Sequence, residues 1–215
     1  MRKQLRQTKL LLYYLVVFAL LGNMAFAQDT SFRRVKLAYG ISLDIPSHRE
    51  VLSQDWRKNL GAVGEAISKN AGVEGPSGKK ESLLAVNATT SPAGAIVRVS
   101  FTLSRDFTQA DLSSATAADL KEVGVEVLNT FKKMEASGGP KVLEMQPVRI
   151  EKINNRLALA VPYIRAGLKG PAPWQVTQYK IPVSNGFIEI TLSHRQSDAI
   201  LWNPILEHVK RSLRF

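Results

Sequence analysis

The sequence predicts an α+β domain, a single α/β/α sandwich whose mainly antiparallel sheet is covered by helices on both faces. Three observations carry this reading. Apolar runs that alternate with polar residues come in consecutive pairs joined by short turns. Stripes of helical period fall between the pairs of runs instead of after every one. The run Arg156–Leu168 sets Leu157, Leu159, Val161 and Tyr163 on one side and the small Ala158 and Ala160 on the other, so a helix can approach closely and both faces are covered.

The first segment lies outside this domain. Arg2, Lys3, Arg6 and Lys9 precede the apolar run Leu10–Leu21, and Ala25-Phe26-Ala27 closes it, the pattern of a secretory signal peptide cleaved after Ala27. The apolar run falls short of the ~20 residues of a spanning helix. Residues 1–27 are therefore read as a leader and 28–215 as one domain, periplasmic or secreted, with no stable membrane insertion after cleavage. No cysteine follows the run to carry a lipid anchor. Removing the leader takes four of the 29 cations and none of the 18 acids, which lowers the formal charge from +11 to +7. The absence of cysteine excludes a disulfide framework, a thiolate metal site and thiol redox chemistry.

In chain order, Phe32–Tyr39 and Ile41–Ile45 flank Gly40 as a first hairpin, which Pro46 ends. From Asp55, the residues Trp56, Leu60, Val63 and Ile67 share a helical face, and the helix is expected to end near Ala71–Gly72, before a loop at Gly72–Lys80. A second strand pair is expected at Ser82–Thr89 and Ala95–Leu103, turning at Ser91-Pro92-Ala93-Gly94. Thr108 and Thr116 are each followed three residues later by an acid, Asp111 and Asp119, as in capping boxes. The second box opens a long helix with Leu120, Val123, Val127, Phe131 and Met134 on one face, ended by Gly138-Gly139-Pro140. Lys141–Ile153 and Arg156–Leu168 form a third hairpin around Asn154-Asn155, and Gly170-Pro171-Ala172-Pro173 is a linker too short to divide domains.

The last forty residues organise the rest. Trp174–Val183 and Phe187–Ser193 flank Ser184-Asn185-Gly186, where Asn and Gly accept the positive φ of a tight hairpin turn. Ile200, Leu201, Ile205, Val209 and Leu213 then recur at roughly helical spacing. Asn203 is a good N-cap and Pro204 suits a first helical position, so the expectation is a short turn over Asp198–Trp202 and a helix from Pro204 to about Arg211. Trp202 is expected at the junction as a buried anchor; the competing reading leaves it exposed in a partner groove.

The element order of hairpin, helix, hairpin, helix pair, long meander and helix, with "ISLDIPSH" (Ile41–His48), "INNRLALAVPY" (Ile153–Tyr163), "YKIPVSNGFIEITLSHR" (Tyr179–Arg195) and "LWNPILEHVKRSLRF" (Leu201–Phe215), resembles the PsbP-like superfamily. Its members include the photosystem II extrinsic subunit, a Ran-binding nuclear-transport protein and bacterial envelope proteins of the DcrB type, the last being nearest in type. The resemblance spans nearly all of the domain and implies the α/β/α sandwich and a binding or assembly role. It implies no catalytic residue and no cofactor.

The residues themselves support no strong chemistry. Ser193, His194 and Asp198 offer a hydroxyl, an imidazole and a carboxylate within six positions, but neighbours in a strand point to opposite faces, and no Gly-x-Ser-x-Gly elbow occurs. His48, His194 and His208 lack zinc-ligand spacing. Val73 and Lys80 break any Walker pattern ending at Gly78-Lys79. Asn87-Ala88-Thr89 is a sequon inside an expected strand. The helical period of the last segment argues against an outer-membrane barrel. Cations cluster at Arg33-Arg34-Lys36, Lys79-Lys80, Lys132-Lys133 and Lys210-Arg211-Arg214 without interleaved aromatics, which disfavours nucleic acid. The sequence thus reads as an exported, non-enzymatic accessory or binding protein of the cell envelope, without cofactor. Its partner would be an envelope protein or an anionic surface component, met through Trp202, Arg33, Arg34, Lys79 and Lys80. The alternatives are a basic binder of anionic glycan, lipid or protein, and a hydrolase using Ser193, His194 and Asp198.

Overall fold

The computed structural model describes residues 31–73, 78–87, 94–104, 107–167 and 172–215, and the body described below runs from Phe32 to Phe215. The leader Met1–Ala27, the turn residues Ser91–Ala93, most of the sequon and part of each of the loops at Gly72–Lys80 and Gly170–Pro173 lie outside the described residues.

Among the described residues the strands are β1 Phe32–Lys36, β2 Ser42–Pro46, β3 Glu50–Val51, β4 Lys80–Asn87, β5 Ala95–Thr102, β6 Val142–Met145, β7 Arg149–Ile153, β8 Arg156–Arg165, β9 Trp174–Val183 and β10 Gly186–Arg195. The helices are α1 Gln54–Asn70, α2 Gln109–Ser114, α3 Ala117–Ala136 and α4 Ala199–Ser212. The main sheet has the order β3-β4-β5-β10-β9-β8-β6, with β7 also on β8, and β1 pairs with β2 as a separate ribbon. Every pairing is antiparallel.

The register shows why the sheet needs two covers. Val99, Ile190, Tyr179 and Ala160 stand in one cross-strand row. With Phe101, Ile188 and Ile181 they face Trp202, Ile205, Leu206, Val209 and Leu213 of the C-terminal segment and Ile41, Leu43 and Ile45 of the first hairpin, and together these make the core. Ala158 and Ala160 are fully buried in it, consistent with a helix drawn close over small residues. On the opposite face, Phe131 of α3 meets the ring of Tyr163 at 4.7 Å between centroids.

Local chemistry sets the helix ends. The Ser53 hydroxyl accepts the Trp56 N–H at the start of α1. Thr108 with Asp111 and Thr116 with Asp119 form reciprocal capping boxes. At the end of α3 the Gly139 N–H reaches Met134 O at 2.8 Å and the Gly138 N–H reaches Glu135 O at 3.1 Å, a Schellman closure that needs the left-handed φ of 91° at Gly138.

Four expectations are corrected. Trp56 and Val63 are 62% and 60% exposed, because α1 packs on the sheet mainly along β4 and turns Leu60, Gly64 and Ile67 inward instead. Lys141–Ile153 is two strands, since Gln146 leaves the ladder after donating to Pro162 O at 3.0 Å. The Asn154-Asn155 turn takes left-handed φ of 45° and 68°, but Ser184, Asn185 and Gly186 do not. Gly186 is required there for space: a Cβ would run into the Thr102 carbonyl and stand 3.0 Å from the Phe101 ring. Finally, α4 runs unbroken from Ala199 through Pro204. Its buried stripe of Trp202, Ile205, Leu206 and Val209 holds the helix against the ~3 kcal/mol cost of an internal proline, while Ile200, expected to share the apolar spacing, is 95% exposed.

Candidate functional site

The residues singled out in the sequence do not converge. In β10, Ser193 stands opposite Val176 and Ile96, while His194 falls on the other face beside Leu192. His194 lines a small cavity of about 100 Å³ with Thr177, Tyr179, Asn203 and Glu207. Its Nδ1 lies 2.8 Å from Arg195 O, and a carbonyl can only accept, so Nδ1 carries the proton and is spent on the backbone. Asp198 accepts the Ser197 hydroxyl at 2.8 Å. The hydroxyl, imidazole and carboxylate have no common space in which to act on a substrate, which corrects the hydrolase reading.

Trp202 is 3% exposed, so it belongs to the core and is removed from the accessible surface. The Arg49 guanidinium lies 4.6 Å above its ring. A Cβ at Gly94 would collide with its indole nitrogen. Arg33 and Lys79 are exposed. Arg34 ties the first hairpin to the end of α4, pairing with Asp44 at 2.8 Å and donating to Ser212 O at 2.7 Å. Lys80 pairs with Glu189 at 2.8 Å. Lys210 sits between Glu151 at 3.0 Å and Glu207 at 2.8 Å, and Arg211 also binds Glu207. The basic clusters are thus divided. Arg34, Lys210 and Arg211 stand with α4 on one face, and Lys80 with the Lys132-Lys133 pair of α3 on the other.

A different set of residues does converge. Where the first hairpin crosses the end of the main sheet, a cleft of about 320 Å³ opens over a floor of Ile41, Phe101 and Ile188, all buried. Leu103, Val183 and Phe215 wall it. The alternation of β5 brings Leu103 to this side, but the strand ends at Thr102, which leaves Leu103 exposed on the wall.

Tyr39 and Arg156 stand at the mouth. Tyr39 is 56% exposed yet fixed. Its backbone is left-handed at φ 60° and ψ 26°, a conformation that costs a bulky residue energy and is held only when the surroundings impose it. Here its ring stacks on Phe101 at 4.2 Å and its hydroxyl donates to Glu81 Oε2 at 2.8 Å. That hydrogen bond, with lesser help from desolvation and the charge of Glu81, raises the Tyr39 pKa and keeps the phenol neutral. Arg156 is the charged side chain lining the cleft. Its guanidinium lies 5.4 Å from the Phe215 ring, and no carboxylate among the described residues pairs with it. The arrangement can take an apolar group against the floor and an anionic group at the rim, where Ser184 and Asn185 add polar lining.

Sequence reasoning passed over Tyr39, Leu103 and Arg156, because each lies at an element end where periodicity stops. The one local signal was Tyr39-Gly40, an aromatic beside a glycine in a tight connection.

No protein-family model matches the chain, and no curated protein matches it. Among solved structures, cyanobacterial PsbP (CyanoP) from Synechocystis sp. PCC 6803 superposes with a TM-score of 0.55 at 13% identity, over 86% of this chain and 92% of that one. LpqN, involved in cell envelope biogenesis of Mycobacterium tuberculosis, gives a TM-score of 0.42 at 9% identity, over 87% and 93%. The superposition with CyanoP accords with the antiparallel sheet, the two helical covers and the sequence resemblance, and the fold of this chain is PsbP-like.

Proposed function

We propose that this chain is an exported, non-enzymatic accessory protein of the cell envelope that binds a small amphiphile, its apolar chain in the Tyr39 cleft and its anionic end at Arg156. The leader pattern of residues 1–27 supports export, and the fold supports a binding or assembly role. The observation that carries the reading is the cleft itself: an apolar floor, a rim residue held in a strained backbone, and an unpaired guanidinium at the mouth. Its 320 Å³ is at the small end of ligand sites and equals about ten water volumes, which suits a single chain better than a ring system.

Calorimetry with dodecanoate below its micelle concentration and dodecanol below its solubility limit tests this. Dodecanoate should bind the wild type and lose roughly tenfold in affinity in Arg156→Gln, as expected for a charge-assisted contact of about 1.4 kcal/mol or more. Dodecanol should bind more weakly and ignore that substitution. Failure of both probes to bind, or equal binding of both in wild type and variant, would overturn the reading.

A further inference from the structure

The small cavity beside His194 is a second place where side chains converge. Alternate positions of β9 bring Gln175, Thr177 and Tyr179 onto one face, and register sets His194 opposite Gln175 and Leu192 opposite Thr177. Asn203, Leu206 and Glu207 lie at i, i+3 and i+4 of α4, so one side of the helix closes over this corner of the sheet. Together they line about 100 Å³ of half-open space, room for about three waters.

The polar groups of this lining lack partners. His194 and Tyr179 are 4% and 5% exposed, and polar groups so buried normally hydrogen-bond. His194 spends its Nδ1–H on Arg195 O at 2.8 Å, which in the neutral ring leaves Nε2 as an acceptor for the cavity. Among the described residues neither Nε2 nor the Tyr179 hydroxyl has a hydrogen-bond partner, and the side chains of Gln175, Thr177 and Asn203 have none either. Burial raises the Tyr179 pKa more than the charge of Lys210 lowers it, so the phenol keeps its proton and can donate. The charges at the rim are already matched. Glu207 is held by Lys210 and Arg211, each at 2.8 Å, and Lys210 also reaches Glu151 at 3.0 Å. Two cations thus balance two carboxylates, and the cavity favours neither sign of charge.

The occupant must therefore be neutral, and it must offer donors and acceptors on neighbouring atoms. A hydroxyl can donate to His194 Nε2 while its neighbour accepts from Tyr179, and the amides of Gln175 and Asn203 can serve either role. The C–H side of the same molecule would lie against Leu192 and Leu206. A carboxylate would meet the lone pair of Nε2 and the charge of Glu207, and an ammonium would meet Lys210. We infer that this cavity is a binding site for the vicinal hydroxyls of a neutral polyol, either a small free polyol or the terminal unit of a glycan, and that it is separate from the Tyr39 cleft.

NMR of the His194 ring nitrogens in the full domain tests the site, with glycerol and methyl α-glucopyranoside as probes and 1-propanol and acetamide as controls. Both polyols should shift the Nε2 signal with saturation, at a dissociation constant of about 1–10 mM for so few contacting atoms. Propanol and acetamide should leave it unmoved at the same concentrations. Tyr179→Phe should weaken glycerol binding roughly fivefold, the loss of one neutral hydrogen bond. Asn203→Ala, at an exposed position where the fold is not at risk, should weaken it several-fold. Arg156→Gln should bind glycerol like wild type, which separates this site from the cleft. Equal or tighter binding of glycerol identifies a free polyol, and a preference of about tenfold for the glucoside identifies a glycan end. An unmoved Nε2 signal would show that the cavity holds water only. That result, saturation by propanol or acetamide in place of the polyols, or undiminished binding in both Tyr179→Phe and Asn203→Ala, would overturn the inference.

Discussion

The side-chain amide of Gln109 serves as a strand partner for Leu157. Its Oε1 accepts the Leu157 N–H at 2.9 Å, and its Nε2 donates to Leu157 O at 2.9 Å and to Pro182 O at 3.0 Å. Pro182 lies inside β9, between β8 and β10, and has no N–H to give β8. A proline is normally kept out of such a position because it breaks the ladder. The regular pairing of β8 with β9 indeed begins only at Leu159 and Lys180. Gln109 fills the gap from the first turn of α2, where the Thr108–Asp111 capping box fixes the helix direction.

Gln109→Ala should therefore cost about 1–3 kcal/mol, the usual range when partly buried backbone groups lose their partners. In a domain of this size that is a fall in Tm of several degrees. Gln109→Glu should recover little of it at neutral pH, since a carboxylate can accept from Leu157 but cannot donate to two carbonyls. A loss under ~0.5 kcal/mol, the level of an ordinary surface substitution, would show that water replaces the amide.

This contact illustrates what the sequence could and could not convey. The capping boxes, the Asn154-Asn155 turn, the glycine stop of α3 and the alternation of β5 and β10 are local, and each was legible because its chemistry lies within a few residues. Gln109 was not, since its partners are 48 and 73 positions away. The same distance hid the cleft, where Tyr39, Leu103 and Arg156 meet only after the sheet is assembled. The apolar stripe of α1 misled for a related reason: periodicity reports which residues share a face, and packing alone decides whether that face is buried.

Trp202 shows the reverse case, an aromatic that could have marked a surface and instead closes the core between Arg49 and Gly94. Trp202→Ala should lower stability by about 3–5 kcal/mol, the transfer and cavity cost of a large buried aromatic. Urea unfolding would measure it. Near-wild-type stability would mean that the indole contributes no packing.

Acid stability should depend on Glu207. Burial pushes its pKa up, but hydrogen bonds and charge from Lys210 and Arg211 together bring it below the ordinary value. A carboxylate whose folded pKa is depressed stabilises the fold above its unfolded pKa and loses that contribution as pH falls through the folded one. Asp119, lowered by its capping bonds with Thr116, acts in the same direction. Stability should thus decline as pH drops below the unfolded carboxylate range near 4, and Glu207→Gln should flatten part of that decline. An unchanged slope between pH 5 and 3 would show that the Lys210–Glu207–Arg211 cluster is screened out in solution.

Pro204 stands inside α4. It occupies the sixth position of α4, so its missing N–H leaves the carbonyl of Ile200 without a helical partner. Ile200 is almost wholly exposed, which lets water satisfy that carbonyl, and Pro204 itself is exposed, so its ring has little packing to lose. Pro204→Ala restores the hydrogen bond and relieves the clash, worth up to ~3 kcal/mol in a helix interior. It also returns about 0.4–1 kcal/mol of entropy to the unfolded chain. The net expectation is a gain of roughly 1–2 kcal/mol in urea unfolding, with the buried stripe from Trp202 to Val209 undisturbed. A loss on Pro204→Ala would show that the bend imposed by the proline, and not the stripe alone, seats Trp202 and Ile205 against the sheet.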